Sequence, residues 1–139
     1  MNRKRTLKLA GWFLGFALTA GVWNANGQQS APTENKGVTV KPLVAVDLGP
    51  EIEGMAGRQL RMRMVTVEPG GVLGIHNHKD RPGTVYVLQG KIIEHRGDVV
   101  KEYGAGDTWH EDKETTHWLE NNGTVPAVLI PVDIFNQPK

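Results

Sequence analysis

Between Val38 and Ile134 the chain runs in short β-branched stretches broken by Gly, Pro, Asn or Asp. They are Val38–Val46, Gln59–Val67, Val72–Asn77, Thr84–Leu88, Lys91–Arg96, Val99–Tyr103, Thr108–His110, Thr116–Glu120 and Ala127–Ile134, and none has a helical period. In Gln59–Val67 one face takes Leu60, Met62 and Met64 and the other Arg61 and Arg63, the alternation of a half-buried strand. Turn signals fall at Pro69-Gly70-Gly71, Gln89-Gly90, Arg96-Gly97-Asp98, Gly104–Asp107 and Asn121-Asn122-Gly123. Many short strands separated in this way predict an all-β sandwich or barrel.

The front of the chain is different. Met1 to Lys8 carries four basic residues and no acid, and Leu9 to Trp23 is apolar except for Thr19. That run is shorter than the ~20 residues a membrane span needs, and Ala25-Asn26-Gly27 supplies small residues behind it. Residues 1–27 are therefore expected to be a signal peptide cleaved after Gly27, with an uncleaved anchor as the alternative. Gln28 to Gly37 offers almost nothing to bury and is expected to be a disordered tether, leaving 38–139 as one domain. Export would place the protein in the periplasm or outside the cell. With no cysteine there is neither a lipid-attachment site nor a disulfide, so a domain of this size relies on its core.

Removing 27 of 139 residues leaves 112, and removing four of sixteen basic residues leaves twelve against fifteen acids. A mildly acidic chain without a basic cluster argues against nucleic acid as a partner. No basic amphipathic helix points to a membrane after cleavage, which leaves a small molecule as the expected partner.

The five histidines all lie in the second half of the chain. His76 and His78 are separated by one residue at a strand end, and side chains at i and i+2 leave a strand on the same face. Both imidazoles can then aim at one point, as metal chelation requires. Two histidines on a solvent face would look the same, so the spacing to other residues has to decide.

That spacing resembles the cupin superfamily. Its first motif is matched by Gly70, His76, His78 and Gly90, and its second by Gly106, His117 and Asn121, all in register. The fifteen residues between Gly90 and Gly106 suit the short connection of microbial cupins. The resemblance implies a cupin jelly-roll β-barrel, a double-stranded β-helix, with His76, His78 and His117 converging in its mouth on one divalent transition metal. It also implies a homodimer. Nitrogen ligands suit Fe, Cu, Ni or Zn, with Mn also allowed. Each imidazole must be neutral to bind, so affinity is expected to fall below about pH 6.5.

The departures matter as well. Where the family has a glutamate ligand this chain has Gly83 or Thr84, so the site reads as three histidines with an additional open position. Glu at position 83 would be expected to restore the ligand, and Glu94, His95 and Glu111 are candidate substitutes. Asp112 and Glu114 replace a proline and a glycine of the second motif and are expected to be solvated. Trp109 and Trp118 either line a pocket or fill core and interface. Tyr86 either packs or donates to a bound ligand, and His110 is expected on the exterior. Arg81 and Arg96 are either solvated loop residues or carboxylate binders at the mouth.

Two functions from different classes follow. One is an enzyme that binds a small oxygen-rich organic molecule at the metal and performs dioxygenase-like or Lewis-acid chemistry. The other is a module that captures a metal or small ligand without turnover. A metal-free scaffold has no use for three convergent imidazoles.

Overall fold

The computed structural model describes residues 30–136, so the expected signal segment and its cleavage site lie outside the described residues. Eight strands follow in order: β1 (Lys36–Asp47), β2 (Arg58–Asn77), β3 (Gly83–Gln89), β4 (Lys91–Arg96), β5 (Val99–Gly104), β6 (Thr108–Glu111), β7 (Thr116–Glu120) and β8 (Ala127–Asn136). The sheet order is β5-β4-β7-β2-β8-β3-β6 with β1 added on β2, and the strand pairs are antiparallel. The sheet rolls into a nearly closed jelly-roll barrel; alternation and turn spacing predict a sandwich or barrel, and the family resemblance implies the jelly roll.

Two expected strands merge into β2. The turn signal at Pro69-Gly70-Gly71 is a corner inside this strand, with Gly70 at φ 71°. Before the corner β2 pairs with β1 and β8; after it Val72 still pairs with Lys36 of β1, and the strand pairs with β7. Gly71 must be a glycine here, because an added Cβ would stand 2.7 Å from the Glu68 carbonyl oxygen and 3.0 Å from that of Lys36. Asn121 holds the corner shut. Its Nδ2 donates to the carbonyls of Val67 (2.8 Å) and Val125 (2.9 Å), and its Oδ1 accepts from Gly123 N–H (2.9 Å). Its backbone exchanges hydrogen bonds with Gly70 and Gly71.

The core is built at period two. Val65 and Val67 of β2 meet Val85 and Val87 of β3, Ile92 of β4, Leu119 of β7 and Leu129 of β8. Each such side chain contributes roughly 1.5–3 kcal/mol on burial. The alternation on β2 is present, but the inward face is the arginine one. Arg63 lines an internal cavity together with Val65, while Leu60 is 40% exposed on the opposite side. The arginines can point inward because Asp133 of β8, fully buried, receives both Arg61 (2.7 Å) and Arg63 (2.8 Å).

The segment expected as a tether is seated on the barrel from Pro32 onward, and β1 starts at Lys36. Ile75 N–H donates to the Pro32 carbonyl (2.7 Å) and Gly74 N–H to Asn35 Oδ1 (2.9 Å). Close approach is possible because Gly74 has no side chain, since a Cβ there would lie 2.7 Å from the Thr33 carbonyl oxygen. Backbone contacts of this kind need no apolar residues, and composition therefore misses them.

Asn121→Ala should remove three side-chain hydrogen bonds, one buried and two part-buried, and leave backbone groups at the corner without partners. A loss of about 2–4 kcal/mol is expected, a fall in Tm on the order of 10 °C. Unchanged thermal unfolding by circular dichroism would show that the corner does not depend on this side chain.

Candidate metal centre

β2 and β7 place the histidines. His76 and His117 are direct cross-strand partners, and His78 follows His76 by two residues on the same face. A bulge between Leu73 and His76 sets this register, and the pairing continues through His78 N–H to the Thr115 carbonyl (2.9 Å). The ring centroids are 4.6–5.1 Å apart. His117 Nε2 lies 3.1 Å from Nε2 of both His76 and His78.

The partners of the other ring nitrogens fix the protons. His76 Nδ1–H donates to the Gly74 carbonyl (2.8 Å), and His117 Nδ1–H to Glu94 Oε1 (2.6 Å). His78 Nδ1 faces the Arg81 carbonyl (3.3 Å) and Glu111 Oε2 (3.1 Å), both acceptors. All three Nε2 atoms are thus left as lone pairs aimed at one another, an arrangement that repels unless a cation lies between them. Nitrogens about 2.0–2.1 Å from one ion are about 2.8–3.4 Å apart at coordination angles from 90° to tetrahedral, which the observed spacing meets. The three-histidine cluster therefore fits a divalent metal ion, with its ligand atoms all within 4.8 Å of one another.

Each candidate for the missing glutamate has a distinct place. Glu94 lies behind His117 and orients it, held in turn by Arg96 Nη2 (2.7 Å) and Tyr103 O–H (3.2 Å). His95 is turned elsewhere, stacked on Trp118 at 3.6 Å and bonded to Glu120 (2.8 Å). Glu111 alone of the three stands beside the cluster, with Oε1 3.6 Å from His117 Nε2 and accepting from Trp109 Nε1–H (3.2 Å). Position 83 cannot regain the ligand as expected. A Cβ on Gly83 would meet the Val132 carbonyl oxygen at 2.8 Å and Asp133 Cβ at 2.9 Å.

His76, His78 and Glu111 open onto a cavity of about 290 Å³ whose wall also includes Arg63, Arg81, Trp109, Leu119 and Leu129. Trp109 belongs to the core and to this wall at once. Tyr86 is 44% exposed on an outer groove with His110, so it neither packs inside nor reaches the histidines. Arg81 faces the cavity, whereas Arg96 is bonded to Glu94. Thr33, Asn35 and Arg63 also line the cavity. Sequence reasoning does not reach them: the first two sit in a polar run, and Arg63 reads as a solvent-side residue.

Burial lowers the pKa of His76 to about 4, helped by the charges of Arg81 and Arg63 and opposed by the bond to Gly74. Burial and then Arg81 bring His78 to about 3. Proton competition at these two ligands therefore begins well below the pH 6.5 expected from free imidazole. For Glu94, burial raises the pKa, but hydrogen bonds from His117 and Arg96 outweigh it and bring the carboxyl to about 2.

These shifts set a pH window for the metal-free protein. Between about pH 6.5 and 4 the unfolded chain binds protons at positions 76 and 78 that the folded chain refuses, so stability must fall as pH falls. Glu94 adds a second loss from about pH 4.5 to 2. Urea unfolding at pH 7, 5.5 and 4 should show this decline, and His78→Gln should reduce it. Equal stability at all three values would mean that the imidazoles protonate freely.

Comparison with known proteins agrees with this geometry. Residues 63–135 match the family model described as Cupin domain. Among solved structures, a predicted oxalate decarboxylase from Thermotoga maritima is 20% identical at a TM-score of 0.58, covering 76% of this chain and 94% of the other. KdgF from Halomonas sp. is 17% identical at 0.57, covering 78% and 90%. An uncharacterized conserved protein with a double-stranded β-helix domain from Klebsiella pneumoniae is 17% identical at 0.57, covering 78% and 91%. At these identities the likeness is one of fold. No curated protein matches the sequence. The family match spans more than half of the chain and includes all three histidines, and the protein belongs to the cupin domain family.

Proposed function

We propose that the protein is an exported metal-dependent cupin that acts on a small oxygen-rich organic molecule held at His76, His78 and His117. The observation that carries this reading is the convergence of three Nε2 lone pairs, each fixed by an acceptor on its Nδ1 side, at the wall of a half-open cavity. A divalent ion bound there supplies Lewis-acid polarisation or a redox centre for oxygen chemistry. The chain holds three neutral nitrogens around the ion, orients His117 through Glu94, and surrounds the ligand with Trp109, Leu119 and Leu129 to limit water. With three protein ligands, coordination positions stay open for a chelating molecule. Oxalate, named for one of the fold neighbours, is a molecule of this kind. Export rests on the basic and then apolar N-terminus.

The alternative, capture without turnover, uses the same ligands. It is favoured by the absence of an evident acid or base in the sequence apart from the metal site.

Metal binding tests both readings at their root. Isothermal titration of the purified protein with Ni(II) or Zn(II), checked by elemental analysis, should give one ion per chain. His76→Ala or His117→Ala should remove binding, and Glu94→Gln, which keeps the shape but withdraws the carboxylate from His117, should weaken it about 10–100-fold. Wild-type affinity in the His117→Ala protein would reject the three-histidine centre.

Homodimerisation is proposed on the outer face of β1. Val44 and Val46 are exposed there, with Leu60 of β2 as the cross-strand neighbour of Val46, and Val44 at 59% is among the most exposed large apolar residues. An exposed apolar patch on an added strand is the kind of surface that oligomers cover. Sedimentation should find a dimer at micromolar concentration and a monomer for Val44→Glu; a monomeric wild type would dismiss the interface.

A further inference from the structure

The histidine centre leaves unexplained a cluster of charge on the adjacent cavity wall. Arg61, Arg63 and Arg81 converge on one carboxylate, Asp133, which is 1% exposed. Arg61 takes both of its oxygens, Nε to Oδ1 at 2.7 Å and Nη2 to Oδ2 at 3.2 Å, and covers the Phe135 ring at 3.6 Å. The Nε–Nη2 edge of its guanidinium and one of its faces are thereby used. Arg63 reaches Asp133 through Nη2 alone, and its Nε is buried without a hydrogen-bond partner. Arg81 stands 3.9 Å from Asp133 and otherwise bonds the Asn77 carbonyl at 3.4 Å.

One carboxylate cannot neutralise three guanidinium groups. Even with Glu111 counted as ionised, positive charge remains in excess, and it lies on Arg63 and Arg81, the two that line the cavity. Part-buried like charges repel and lose hydration, so the fold alone gives no reason to place both in one wall beside Val85, Leu129 and Pro131. A planar guanidinium pair beside a cavity is matched to a carboxylate, which accepts two donors at once.

We propose that Arg63 and Arg81 form a receptor for a carboxylate of the ligand. The substrate class is then a small acid with two anionic ends: one chelates at the histidine centre and the other rests on the arginines. The chelating half of this inference rests on the proposed function above, while the carboxylate half does not. A cavity of about 290 Å³ suits a molecule of that size, since small-molecule sites begin near ~300 Å³.

Glycolate and malate separate the two halves, because both offer a hydroxycarboxylate to a metal and only malate carries a second carboxylate. In the Ni(II)-loaded protein, calorimetry should show malate binding at least about tenfold more tightly than glycolate, as loss of one charge-assisted pair implies. The advantage should vanish in Arg81→Gln. This variant touches Asp133 only at 3.9 Å and should unfold at the wild-type temperature, whereas Arg63→Gln withdraws a partner from a buried carboxylate and serves as a second check. In the metal-free protein succinate should still bind weakly, its diamide should not, and Arg81→Gln should abolish the difference. Equal affinity for glycolate and malate in the wild type would overturn the arginine receptor and leave the metal reading standing. Succinate binding that depends on Arg81, in a protein that takes up no Ni(II), would uphold the receptor and remove the metal reading.

Discussion

Three imidazole lone pairs held face to face inside the barrel require that each ring be gripped from behind. The grips come from three different parts of the chain: the Gly74 carbonyl on β2 itself, Glu94 on β4, and the Arg81 carbonyl with Glu111 for His78. Much of the local architecture serves this constraint. The bulge between Leu73 and His76 places His76 opposite His117, and the β4–β7 pairing sets Glu94 behind His117. Arg96 and the Tyr103 hydroxyl then hold Glu94, so the ring orientation is anchored two shells out, in β5. A centre built this way needs no reorganisation when it takes up a cation, and its affinity should owe more to preorganisation than to ligand count.

The adjacent wall is organised around another buried carboxylate. Asp133 on β8 turns the arginine face of β2 inward and leaves Leu60 toward solvent, against the usual polarity of a strand. Beside it, the Val132 carbonyl oxygen and Asp133 Cβ crowd Gly83, whose missing side chain lets β3 and β8 approach. The close β3–β8 approach that excludes a side chain at position 83 lies directly beside the arginine cluster on Asp133. The carboxylate nearest the metal site comes instead from Glu111, the cross-strand partner of Gly83 on β6.

Nearly every strand was legible in the sequence, because period-two alternation and Gly-rich turns are local signals. The histidine triad was legible through spacing, His76 and His78 by the strand period and His117 by family resemblance. What escaped were features set by contacts distant in sequence. The corner at Gly70-Gly71 looked like a turn, since nothing nearby shows that Asn121 closes it. Arg61 and Arg63 looked solvent-facing because their partner lies some seventy residues away. Pro32 to Asn35 looked like a tether because its contacts use backbone groups and a glycine on the other side. Among Glu94, His95 and Glu111, alternation separates His95 from Glu94 but cannot tell which face is inward.

Two of the three buried carboxylates among the described residues, Glu94 and Asp133, divide the labour of the site by charge. Glu94 has its hydrogen-bonding capacity taken by His117, Arg96 and Tyr103, so its negative charge is answered within its own group and stabilises His117 as a ligand. Asp133 is over-answered, with three arginines around one charge, and the surplus projects into the cavity. Adding a divalent ion at the histidines makes the interior more positive still. In a low-dielectric pocket such a field draws in anions and disfavours cations and neutral molecules of equal size. The apolar portions of the wall then select for a compact ligand, since every unneeded polar atom would lose water without gaining a partner.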